Sequence, residues 1–145
     1  MRVEIRRRCR AVEECYEFML AYAAKGVVSE EGGRAGAQIR EPLQRAVDAL
    51  SGLADLCVTA VTADAVDAAE KYLAFLAVVD RDARDAISAI ELVLAQPTIS
   101  SQLIDNLNAS IHLRAVLTDL FLLSDIASIP KTSPAGSAVA GGGNG

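Results

Sequence analysis

The sequence predicts an all-α protein: an antiparallel four-helix bundle followed by a disordered, Gly-rich C-terminal tail, with five helices if the third is broken. Three observations carry that expectation. Apolar residues recur at alternating steps of three and four through most of the chain, the spacing of a helix stripe and not the period of two that a half-buried strand needs. The composition is 52% hydrophobic but only 4% aromatic, rich in alanine, leucine and valine, which suits helices. Glycine and proline gather at a few places, so they punctuate the chain instead of interrupting its periodic stretches. The bundle is expected to occupy residues 1–129 as one domain and the tail residues 130–145.

Helix one should run from Val3 to Ala24, with Ile5, Cys9, Val12, Tyr16 and Met19 on its inner stripe. It should stop at Lys25-Gly26, a basic last turn followed by a C-terminal glycine. The segment "VVSEEGGRAGAQ" then reads as a loop. Its glycines follow no strand and precede no lysine in the position a phosphate cradle requires.

Helix two is expected from Glu41 to about Ala60, with Pro42 in the first turn, where a missing N–H costs nothing. Leu43, Ala46, Leu50, Leu53, Cys57 and Ala60 form its stripe. Gly52 lies inside it at a cost of about 1 kcal/mol relative to alanine, which suggests a close helix approach. The β-branched "VTAVT" weakens the helix, and Thr62 or Asp64 offers a cap for the next one.

Helix three should be the longest, from Asp64 to Gln96, ended by Pro97. Ala69, Tyr72, Leu76, Val79, Ala83, Ala86, Ile90 and Val93 keep a strict three-four alternation, the pattern of a bundle seam. Unbroken, it would measure about 50 Å against about 30 Å for helices one and two. It should therefore kink near Asp80-Arg81-Asp82 or protrude toward another chain.

Helix four should begin after Ser100 or Ser101 and end before Pro130. Its apolar line changes sides: Leu103, Leu107 and Ile111 continue into Arg114, Thr118, Phe121 and Asp125, while Leu113, Val116, Leu120, Leu123 and Ala127 take over on roughly the opposite face. A straight helix packed on one bundle cannot bury both stripes. Either it breaks around Asn108 to Ser110, or it is straight and a second chain covers its later half. The apolar "LFLLSDI" favours the second chain, which makes Leu113, Val116, Leu120, Leu123 and Ala127 the expected partner-binding residues.

Chemistry is thinly represented. The one histidine has no glutamate three positions before it, so a carboxylate-bridged two-metal site is excluded, and no metal or cofactor is expected. Asp105, Asn108, His112 and Asp119 lie within about 60° of arc on helix four, and Asn108 can hydrogen-bond His112. That ridge reads as a solvated face, its rival being a pH-sensitive or acid/base histidine. Arg114 with Asp125 are the only polar groups that could converge inside the bundle.

Cys9, Cys15 and Cys57 read as reduced, small buried hydrophobes, since Cys9 and Cys15 stand about 240° apart around a helix and cannot share a metal. The "RRRCR" cluster raises nucleic acid, but neighbouring glutamates and a formal charge of -5 argue against it. Asp80, Asp82 and Asp85, or acids one turn along such as Glu14 for Arg10, are its expected partners.

The apolar runs "YLAFLAVV" and "LCVTAVTA" fall short of the ~20 residues of a membrane span. The charged N-terminus is unlike an export signal, so the expected location is cytoplasmic. The function expected is that of a non-enzymatic adaptor, assembly factor or regulator, a homo-oligomer such as a dimer that also contacts another protein. An amphipathic coat on a lipid or polymer granule, and a small-ligand binder or enzyme with an apolar pocket inside the bundle, are the alternatives.

Overall fold

The structure is a computed structural model that describes residues 2–29, 34–64 and 67–129, with side chains described at all of these except 34–37. The tail expected at 130–145 lies outside the described residues. Among those described the protein is all-helical, with no strand: α1 (Arg2–Ala24), α2 (Arg34–Leu50), α3 (Leu53–Ala63), α4 (Ala69–Leu94), α5 (Ser101–Ala109) and α6 (His112–Ala127). Where one helix is expected, α2 and α3 stand on either side of a break, as do α5 and α6, and each such pair, like α1 and α4, is called a limb below.

The core follows the periodicity. From α1 it takes Val12, Cys15, Met19 and Tyr22, and from α4 Leu76, Val79, Ala83, Ala86, Ile90 and Val93, all buried. Helix α4 runs unbroken through Asp80-Arg81-Asp82. At 26 residues it measures about 39 Å, and it is shorter than expected because it starts at Ala69. Thr62 and Asp64 do not cap it: Asp64 closes α3 instead, and α4 starts from Ala68 in a left-handed conformation with no side-chain cap.

The breaks fall elsewhere. Gly52 has φ 75°, a left-handed conformation that glycine adopts without strain. A Cβ built there would meet nothing within 4 Å, so the glycine serves the backbone turn and not a close helix approach. Helix α2 begins well before Glu41, which places Pro42 inside it. The first-turn position expected for Pro42 is corrected accordingly.

The second break lies at Ser110–Ile111. Ser110 closes α5 with its Oγ donating to the Leu107 carbonyl at 2.5 Å, and Ile111 takes φ 63°. One residue out of helical register resets the inward face, so Ile104 and Leu107 before it and Leu113, Val116, Leu117 and Leu120 after it all reach one core. The rotated stripe is therefore a broken helix.

Polar contacts fix how the limbs run. The Arg8 guanidinium donates to the Ser51 carbonyl at 2.7 Å, which places the middle of α1's first half at the end of α2. Arg40 of α2 donates to the Leu94 and Gln96 carbonyls, each at 2.8 Å. In both cases an arginine meets the electron-rich carbonyl end of a neighbouring helix, whose last C=O groups have no helical donor.

The end of α1 is clasped to the start of α5. Tyr22 Oη donates to the Ile99 carbonyl at 2.5 Å, the Ser101 hydroxyl donates to the Tyr22 carbonyl at 2.5 Å, and Val27 and Ser101 exchange two bonds of 2.8 Å. Ser101 is the one buried polar residue among those described, and these bonds offset its burial. Ser100 caps α5 by accepting from the Leu103 N–H at 3.0 Å, as its position predicts.

The segment Gln38–Ala63 is long and apolar enough, by composition, to cross a membrane. In this fold the Gly52 turn interrupts it, and Ile39, Leu43, Ala46, Leu50, Leu53 and Cys57 are buried in the core.

A candidate ligand cleft

The start of α1 and the end of α6 come together at one end of the molecule, where they enclose a cleft with α3 and the beginning of α4. Its volume is ≈ 580 Å³, within the range of small-molecule sites. The floor consists of Cys57, Leu76, Leu117 and Leu120, which belong to the core. Ile5 and Cys9 of α1 and Leu123 of α6 form half-buried walls. Small side chains, among them Cys9, Cys57 and Ala60, leave the space between helices unfilled.

The mouth is charged. Arg2, Arg6 and Arg10 follow one another at single-turn spacing along α1, with Glu13 three residues beyond Arg10 on the same helix and Asp64 at the end of α3. Arg2 is taken up by an ion pair with Asp64, whose carboxylate raises the arginine further above its ordinary value. Arg7 and Arg8 both bind Glu4, at 2.9 and 2.8 Å, and their hydrogen bonds, that of Arg8 first, hold the Glu4 carboxyl below its ordinary value. The partners expected for the cluster on helix three are therefore not the ones it uses. Asp80 pairs instead with Arg84, one turn along its own helix, at 2.8 Å.

The thiols behave as apolar groups. Burial, aided by Cys57 and Glu13, pushes Cys9 up to about 11, and burial pushes Cys15 up to about 12 and raises Cys57. At neutral pH all three are protonated, hence weak nucleophiles and weak metal ligands. Among the described residues no three or more His, Cys, Asp or Glu side chains gather as a metal site. The cleft's own groups are suited to holding a molecule, with an apolar interior and a cationic rim.

The residues singled out in helix four are distributed differently from the expectation. Leu113, Val116 and Leu120 are 2%, 0% and 6% exposed within the single chain. The core of the same chain takes up the surface expected to meet a second one, because the break at Ile111 turns that stripe inward. Leu123 is half-buried against the core and Ala127 is exposed at the cleft mouth.

The polar ridge is divided by the break, with Asp105 exposed and Asn108 half-buried on α5, and His112 exposed at the start of α6. The expected Asn108–His112 hydrogen bond is absent, and Asn108 Oδ1 is buried without a partner. His112 instead borders a shallow depression with Asp85, Ser88 and Leu92 of α4. Arg114 and Asp125 are both exposed, so they do not converge inside the bundle.

Cys9, Cys57 and the arginines were each visible in the sequence, but no local signal joins them, since the cleft depends on α1 meeting the far end of α6. No protein family, curated protein or solved structure matches the chain.

Proposed function

We propose that the four limbs form an antiparallel bundle whose cleft binds a small apolar molecule. The observation that supports this is the cleft itself, a space of ≈ 580 Å³ with an apolar floor continuous with the core. Filling such a space removes apolar ligand surface from water at about 25 cal/mol per Å², while the helices that line it are already held by the core. The alternative of a binder with an apolar pocket is thereby preferred to an adaptor, whose expected contact stripe is buried in the chain's own core.

Titration with the neutral fluorophore Nile red, and its displacement by decanol, tests the reading. Saturable binding is expected, and it should be lost in Ala60→Phe, which puts a ring into the space. Ser124→Phe fills it from α6 and serves if the first variant loses helicity. Non-saturable binding, or binding unchanged in a folded variant, would overturn the reading.

Contact with another protein has its own support in Phe121 and Leu122, 48% and 47% exposed beside the cleft. It carries with it a homodimer in the cytoplasm. Light scattering coupled to size exclusion separates the two, since a monomer at micromolar concentration removes the homodimer.

A further inference from the structure

We infer that the cleft's ligand is a single-chain amphiphile with an anionic head, its apolar chain on the Leu76–Leu117–Leu120 floor and its head between Arg6 and Arg10. This rests on the reading of the cleft as a ligand site and adds the chemical class of the ligand.

Of the arginines in the first half of α1, Arg2, Arg7 and Arg8 each have a carboxylate. Arg6 and Arg10 have neither an ion pair nor a hydrogen bond among the described residues, and both are exposed at the cleft mouth. Like charges one helical turn apart repel. An anion placed between them removes the repulsion and accepts from two guanidinium forks, which match carboxylate and phosphate oxygens.

The cationic rim is also local. The whole chain carries -5, yet the mouth sets three arginines against the two carboxylates Glu13 and Asp64. A molecule that is apolar along its length and negative at one end therefore matches both parts of the cleft. A neutral apolar molecule matches only the floor, and a cationic one meets repulsion at the rim.

Calorimetric titration of the full chain with decanoate, decyl phosphate and decanol, each below its aggregation concentration, tests this. The two anions are expected to bind about tenfold or more tightly than decanol, as for one charge-assisted contact. The double variant Arg6→Gln/Arg10→Gln should lose that preference while binding decanol as before. Arg7→Gln, whose side chain pairs with Glu4 away from the cleft, should retain it. Circular dichroism on the same samples reports that each variant is folded. Equal binding of decanol and decanoate by the wild type, or a preference that survives the double variant, would overturn the anionic head and leave the cleft standing. Failure of all three to bind would remove the cleft reading and this inference together.

Discussion

Asp119 of α6 faces Asp82 of α4, two carboxyls brought together where these helices pack, with Asp119 Oδ2 buried and lacking any donor. Two carboxylates cannot hydrogen-bond each other unless one carries a proton. Burial first, then the neighbouring carboxyl of Asp82, push Asp119 from the ordinary 3.8 up to about 7.

The folded form therefore holds a proton that the unfolded chain releases near pH 4. The stabilisation is complete below that value and is lost as the pH rises through about 7. Asp119→Asn, which supplies a permanent donor, should be more stable than the wild type at pH 8 by about 1 kcal/mol, allowing for solvent screening. The advantage should vanish near pH 5. Urea melts at the two pH values measure it, and an advantage that does not change with pH would show that Asp119 is ionised throughout.

Ile111 is a β-branched residue at φ 63°, 54% exposed. Left-handed backbone costs such a residue about 1–2 kcal/mol, and the half-exposed side chain recovers only part of that. Ile111→Gly should raise the stability by about 0.5–1 kcal/mol, read as a higher urea midpoint with unchanged slope.

Leu120 and Leu122 are two positions apart on α6 but differ in surroundings, the first buried in the core and the second 47% exposed. Leu120→Asp should unfold the protein, as should Leu76→Asp, because an unpaired charge in the core costs several kcal/mol. Leu122→Asp should stay within about 0.5 kcal/mol of wild type, the range of surface substitutions. Circular dichroism distinguishes them, and a folded Leu120→Asp monomer would return that stripe to an interface.

Arg8 and Arg7 both bind Glu4, but only Arg8 also reaches the Ser51 carbonyl across to α2. Arg8→Met should cost about 1.5 kcal/mol, the value of a charged hydrogen bond left unmade. Arg7→Met should cost less than about 0.5 kcal/mol. Equal losses in thermal melts would mean that the contact to α2 contributes nothing.

The legible parts of the fold were those with local causes. The seam of α4 and the glycine stop of α1 follow from side-chain spacing and from Gly26, whose φ is 67°. Pro42 misled because proline is commonest in a first turn, and its place inside α2 depends on residues upstream that look like a loop. Ile111 carried no turn residue to announce its left-handed backbone, though the switch of apolar stripe around it did. The cleft was least legible, since Arg6 and Leu120 are brought to one space only by the packing of α1 against α6.

The clasp between α1 and α5 joins Tyr22 to Ile99 and Val27 to Ser101, residues 77 and 74 positions apart. Closing so long a loop loses chain entropy before any of these bonds can form. During synthesis α1 emerges before α5, and its clasp waits until residue 101 has left the ribosome, by which time α2, α3 and α4 are already made. The end of α1 is thus made well before the residues that secure it, although Arg8 can bind the Ser51 carbonyl as soon as α2 is complete.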